Sequence, residues 1–216
     1  ARDRIKGLSL ASWRDTPPHA ISAPGRRGHV AAELETQASE ITLRDRGNRD
    51  GMNVAALAAD LRAAARRTDH RRLLVLAGER DACVDAAFSA VEGAAIPDTE
   101  TAIVTTREGF RFERFHPDHA GRLLGTTRTA VVCDAHEGFS PNVLGRLVGV
   151  VDGGGLFVLL TPPLDSWPER VDDFETSLAV PPYEAANVGG RFRERLAATL
   201  RQHPGIAIVD VDSETV

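Results

Sequence analysis

Three stretches of this sequence place reactive side chains at the end of an apolar run. The richest is Thr129-Ala-Val-Val-Cys-Asp134-Ala-His136-Glu137-Gly138-Phe139. An acid closing an apolar run can hold a divalent metal through water, and His136 and Glu137 can serve as base or ligand. The second is Ala77-Gly78-Glu79-Arg80-Asp81, a turn between an apolar run and a helix, which is the shape of a phosphate loop. Such a loop needs more glycines and a lysine, yet Lys6 is the only lysine of the chain. A working Walker A motif and a Schiff-base lysine are therefore both excluded. Asp81 would also bring negative charge to the place a phosphate takes, so it reads as a helix cap. Without a phosphate loop Asp134 has no nucleotide to serve. Its first reading is turn and capping contacts, its second a degenerate or shared site. The third stretch is Thr161-Pro-Pro-Leu-Asp-Ser-Trp167. Trp167, with Tyr183 further on, could form a partner surface or pack the loop onto its own sheet.

The remaining candidates are weaker. His116 and His119 bracket Pro117-Asp118 without a third clear metal ligand, so they read as solvated loop histidines. Cys83 and Cys133 sit in apolar runs and read as buried thiols. Arg66, Arg67, Arg71 and Arg72 form a basic cluster that could touch RNA phosphate, although Asp69 weakens it. Neither a nucleophile elbow nor a GxGxxG turn is present, and no Ser-His-Asp or Cys-His arrangement is readable. Lys and Arg total 26 against 31 Asp and Glu, a net charge of −5, which is not the footprint of a free-standing nucleic-acid binder. No apolar run reaches the length of a membrane span, so no membrane partner is expected.

These residues need elements to hold them, and the sequence supplies an alternation of helix and strand. Asn53 can cap a helix running to about Arg67, with Val54, Leu57, Ala58 and Leu61 on one face. Buried strands are predicted over Arg72–Ala77, Thr101–Thr106, Thr129–Asp134, Leu156–Thr161 and Gly205–Val211. Helices are predicted over Asp81–Val91, Pro117–Leu124, Pro141–Val151 (capped by Ser140 and stopped at Gly153) and Arg191–Gln202. Pro162–Gly190 reads as irregular. Strands separated by helices imply an α/β, Rossmann-like three-layer sandwich with a mainly parallel sheet of about five strands, lacking a P-loop. Residues 1–51 read as a poorly ordered extension or tail, with a short helix over Val30–Ala38 and a strand over Glu40–Leu43 as its only regular pieces. Periodic sequence starts after Met52, the only methionine and the expected natural start. Residues 52–216 form the second unit, and the ending at Val216, just past a buried strand, reads as a domain edge.

The runs RRLLVLAGERDACVDAA (Arg71–Ala87), AVVCDAHEGFSPNVLGRLVGVVDGGGLFVLLTPP (Ala130–Pro163) and RFRERLAATLRQHPGIAIVD (Arg191–Asp210) resemble the N-terminal domain of the tRNA(Met) cytidine acetyltransferases. The likeness covers about Met52 to the end and is greatest to archaeal, halophilic members. In that family the resemblance implies a cytoplasmic enzyme that makes N4-acetylcytidine in tRNA from acetyl-CoA and ATP with Mg. There this domain precedes an ATPase module, an acetyltransferase module and an RNA-binding tail. The sequence departs from the full pattern: it has no Walker A motif, no acetyl-CoA-binding motif and no tail. No catalytic, cofactor-binding or metal residue can therefore be carried over.

The expected role is a non-catalytic accessory domain whose partners are the downstream ATPase and acetyltransferase modules and, through the arginine cluster, tRNA. Two alternatives stand beside it. One is a stand-alone small-molecule or nucleotide-binding α/β protein using the strand ends at Gly78, Asp134, His136 and Glu137. The other is a protein-interaction module built on the Trp167–Tyr183 loop.

Overall fold

The structure, a computed structural model, describes residues 54–213. The elements expected before Val54, including the Asn53 cap, lie outside the described residues. Helix α1 (Val54–Thr68) leads into β1 (Arg72–Ala77), α2 (Arg80–Gly93), β2 (Thr101–Val104) and β3 (Glu113–Phe115). Then follow β4 (Arg128–Asp134), α3 (Pro141–Val148), β5 (Val151–Thr161), α4 (Asp173–Leu178), α5 (Arg191–Gln202) and β6 (Ile206–Asp210). Short 3-10 turns at Asp98–Glu100, Pro117–Leu123, Trp167–Glu169 and Ala185–Asn187 fill the connections.

The strands form one sheet in the order β3-β2-β4-β5-β1-β6, and every pairing is parallel. Alternation along each strand divides the core in two. Leu74 and Leu76 of β1, with Ala130 and Val132 of β4 and Leu156, Val158 and Leu160 of β5, pack under α1 and α2. Val75 and Ala77, with Val131, Cys133, Phe157 and Leu159, pack under α3, α5 and Trp167. Both faces are covered, which is why these strands read as continuous apolar runs. Helices α1 and α2 approach so closely that a Cβ on Gly93 would lie 2.2 Å from the carbonyl oxygen of Ala55.

Four details differ from the sequence reading. Among the described residues the sheet has six strands instead of about five, because the sequence Glu-Arg-Phe of β3 is too short and too charged to show as an apolar run. Among the described residues it pairs only with β2, so there it is an edge strand. Helix α3 ends at Val148 with Gly149 at its C-cap, not at Gly153. Gly153 to Gly155 lie inside β5, where the register with β4 shifts. Gly154 has φ +79 and donates its N–H to the carbonyl of His70 at 2.9 Å, a conformation that suits glycine. Finally, part of the Pro162–Gly190 stretch is regular, since α4 starts with a capping box formed by Asp172 and Glu175.

Candidate functional site

In an open parallel sheet a ligand crevice forms at the carboxyl ends of the strands, where neighbouring strands send their connections to opposite faces. That condition is met between β1 and β5. Strand β1 continues into α2 on one face, while β5 continues toward Trp167 and α5 on the other. The predicted site residues Gly78, Asp134 and His136 all lie at this edge, with Glu137 beside them.

Asp134 ends β4, and its side chain is fully buried. Oδ2 accepts from Arg80 Nε at 2.9 Å, from Arg80 Nη2 at 2.6 Å and from the Thr105 hydroxyl at 2.7 Å. Oδ1 accepts from the His136 amide at 3.1 Å and faces His136 Nδ1 at 2.9 Å. A carboxylate offers about four lone-pair positions, so these contacts leave none for a metal or a substrate proton. Burial alone would raise the pKa of Asp134, but the hydrogen bonds from His136, Thr105 and Arg80 outweigh it and hold the value down at about 2. A carboxylate so stabilised is a poor general base near neutrality.

The surrounding side chains are committed in the same way. His136 Nε2 lies 3.1 Å from the carbonyl of Gly78, so the ring spans from the end of β4 to the turn after β1. Both of its neighbours are acceptors, so both bonds form together only when both ring nitrogens carry hydrogen. Glu137 is exposed. Its Oε2 accepts from Thr106 at 2.7 Å and pairs with Arg80 Nη1 at 2.9 Å, and these bonds lower its pKa. Arg80 Nη2 also donates to Thr106 at 2.8 Å. The guanidinium thus joins residues that follow β1, β2 and β4.

The turn after β1 does not fit a phosphate. Gly78 has φ +150, and a Cβ there would lie 2.6 Å from Asp212 Oδ1, so this turn requires glycine for close approach. The same Asp212 oxygen accepts from the Glu79 amide at 2.7 Å. Glu79 is the N-cap of α2, accepting from the amides of Asp81 and Ala82 at 2.7 and 3.1 Å. Two carboxylates therefore occupy the N–H groups that an anion would use. Asp81, expected to be the cap, pairs instead with Arg107 at the surface. Neither ATP nor acetyl-CoA fits this turn through its phosphates.

The arginine cluster sits elsewhere. Arg66 and Arg67 end α1, and Arg71 and Arg72 precede or begin β1, so all four lie at the amino edge of the sheet, opposite Asp134. Arg66, Arg67 and Arg71 are exposed, and Arg71 Nε donates to the carbonyl of Val151. Trp167 is 1% exposed and packs on Phe139, with ring centres 5.5 Å apart, whereas Tyr183 is 67% exposed. The two aromatics do not share a surface. Cys83 and Cys133 are both buried free thiols, and burial pushes Cys83 up to about 12 and Cys133 higher still. Among the described residues no group of three or more His, Cys, Asp and Glu is arranged to hold a metal ion. No helix among them is long and apolar enough to cross a membrane.

The sequence reading missed Arg80, Thr105 and Thr106 as members of this cluster. Their signal is topological: Thr105 and Thr106 follow β2, the neighbour of β4, and Arg80 follows β1, one strand beyond β5, a neighbourhood that exists only once the strand order is known.

The known family described as "tRNA(Met) cytidine acetyltransferase TmcA, N-terminal" matches residues 50–211. This chain belongs to that family. The tRNA(Met) cytidine acetyltransferase TmcA of Haloferax volcanii is 64% identical over 167 residues, covering 77% of this chain and 22% of the relative. The protein of the same name in Haloarcula marismortui is 49% identical over 195 residues, covering 90% of this chain and 24% of the relative. That of Nitrosococcus halophilus is 37% identical over 159 residues, covering 73% and 21%. The chain thus spans about a quarter of the length of the curated relatives it matches. The likeness to halophilic archaeal members expected from the sequence is borne out.

Proposed function

We propose that this chain is the non-catalytic N-terminal domain of a tRNA(Met) cytidine acetyltransferase and acts as a scaffold for that enzyme's ATPase and acetyltransferase modules. The whole enzyme would form N4-acetylcytidine in tRNA in the cytoplasm. Acetyl-CoA would supply the acetyl group, and ATP with Mg would be used by the ATPase module. The observation that carries the non-catalytic role is the closed crevice. Asp134, His136, Arg80 and Glu137 bond to one another across the strand ends, and Glu79 and Asp212 take the amides a phosphate would need. The same closure weighs against a stand-alone small-molecule or nucleotide-binding protein.

The test compares this chain with the complete gene product. The chain alone should transfer no acetyl group from acetyl-CoA to tRNA and should bind no ATP, while the complete product should yield N4-acetylcytidine, read by mass spectrometry of digested tRNA. Acetyl transfer or ATP binding by the chain alone would overturn the reading, as would an inactive complete product. A second reading, contact with tRNA phosphate, is favoured by the exposure of Arg66, Arg67 and Arg71 at the edge remote from the closed crevice.

A further inference from the structure

Six large apolar side chains among the described residues are about half exposed or more, and four of them fall within thirteen positions: Val171 at 54%, Leu178 at 51%, Val180 at 66% and Tyr183 at 67%. Scattered exposed apolar residues are ordinary on a soluble surface, but a cluster on one segment points to a contact.

This segment is firmly held from beneath. Arg193 of α5 is 1% exposed. Its guanidinium donates to the carbonyl of Arg170 and pairs with Asp172, and Nη2 lies 3.0 Å from Glu175 Oε2. Phe174 meets Phe192 edge-on, with ring centres 6.4 Å apart. A buried arginine with two acids adds little net stability over apolar packing, but it fixes geometry. Asp172, Phe174 and Glu175 are anchored in this way, while Val171, just before α4, and Leu178, its last residue, stay about half exposed. Pro181 and Pro182, whose rings fix φ, lie between Val180 and Tyr183 and limit the backbone there. Exposed Glu169, Asp173 and Glu184, with exposed Arg170 among them, flank the apolar residues along the chain.

We propose that the face formed by Val171, Leu178, Val180 and Tyr183 docks onto another module of the same, longer polypeptide. This rests on the scaffold role proposed above. The occupant is argued from length: the curated relatives are about four times longer than the matched part, so most of such a polypeptide lies outside residues 1–216. It is argued also from charge. Three exposed acids against one exposed arginine give the segment a net negative flank, which suits a partner surface that is apolar at its centre and carries Arg or Lys beside it. Docking within one chain needs only a modest patch of this kind, because the partner is tethered.

The experiment uses the complete gene product with a photo-crosslinking phenylalanine analogue in place of Tyr183, prepared as a mixture of unlabelled and 15N-labelled protein. After irradiation and digestion, the expected result is a cross-link to a peptide outside residues 1–216 of the same isotopic copy. The pair L178D and V180D, both at exposed positions, should lower its yield about tenfold, the loss expected when apolar contacts are removed from an interface centre. A cross-link to a second copy, one confined to residues 54–213, or none at all would overturn the proposal. So would an undiminished yield in the double variant. Acetyl transfer to tRNA is measured on the same preparation. An active enzyme without the expected cross-link overturns the docking face alone, whereas an inactive complete product overturns the scaffold role.

Discussion

The guanidinium of Arg80 and the carboxylate of Asp134 meet, with Nη2 2.6 Å from Oδ2, across the end of a strand to which neither belongs. Arg80 follows β1 and Asp134 ends β4, while β5 lies between those two strands. His136 makes the same crossing in the other direction by reaching the carbonyl of Gly78. A sheet of this topology normally opens a ligand crevice here. In this chain two side-chain bridges close it, and the charged groups that could bind a ligand are paired with one another.

Removing one half of the bridge should be costly. Arg80→Met leaves the fully buried Asp134 carboxylate without its counter-charge and should destabilise the fold by about 3 kcal/mol. The measurement is urea denaturation, with a lower midpoint and an unchanged slope. Asp134→Leu alone should cost a similar amount. The double variant Arg80→Met with Asp134→Leu should lose clearly less than the sum, since neither charge is then stranded. Additive losses would show that the pair is not coupled.

The pH dependence follows from the depressed pKa of Asp134. It falls from an ordinary 3.8 to about 2 in the folded chain. The unfolded chain therefore binds the proton more readily than the folded one in this interval. The stability contributed by the ionised group is fully present above 3.8 and is lost as the pH falls toward about 2. Asp134→Asn should lie below wild type near neutrality, and its deficit should shrink over that acid window. Denaturation midpoints of the two proteins at a series of pH values check it. A deficit that stays constant through the window would place the stabilisation elsewhere.

How much of this was readable without coordinates differs by element. The strands β1, β4 and β6 were legible because both faces of the sheet are covered and each appears as an unbroken apolar run. The Ser140 cap was legible too, and its hydroxyl accepts from the Val143 amide at 3.3 Å. Glycine misled the reading at Gly153, since a glycine that stops a helix and one that bends a strand look alike in sequence. Asp134 and His136 stood out as reactive types at a strand end. Their closure by Arg80 and Thr105 did not, because it depends on β1 and β2 coming to lie on either side of β4 and β5. Arg193 was hidden for a similar reason. On a helix otherwise rich in surface arginines, nothing local marks the one that is buried.

The arginine cluster gives a separable expectation. If Arg66, Arg67 and Arg71 contact tRNA phosphates, replacing all three by Ser in the complete gene product should weaken tRNA binding at every sequence alike. It should also flatten the dependence of log K on log salt by about 2, from roughly 0.7–0.9 per lost phosphate contact. Fluorescence anisotropy with labelled tRNA at several salt concentrations measures both. Binding of unchanged strength and unchanged salt slope would remove these residues from the tRNA interface.

The last prediction concerns the clamp beneath the exposed face. Arg193→Met keeps a side chain of similar reach but leaves Asp172 and Glu175 facing each other without a cation. Burial already raises the pKa of Glu175, and the arginine charge is among the interactions opposing that rise. Without it Glu175 should take up a proton more readily or turn outward, and the capping box of α4 should fail with it. Phe174 against Phe192 then still anchors α4. The expected result is local: protease cleavage between Val171 and Tyr183 should become at least about tenfold faster, the effect of roughly 1.4 kcal/mol on a local opening equilibrium. The sheet should stay protected, because β1, β4 and β5 are held by their own parallel pairings and apolar core. Amide exchange read peptide by peptide separates the two regions. Faster exchange throughout the chain would mean that Arg193 supports the whole fold, and unchanged cleavage would mean that the aromatic contact alone holds the segment in place.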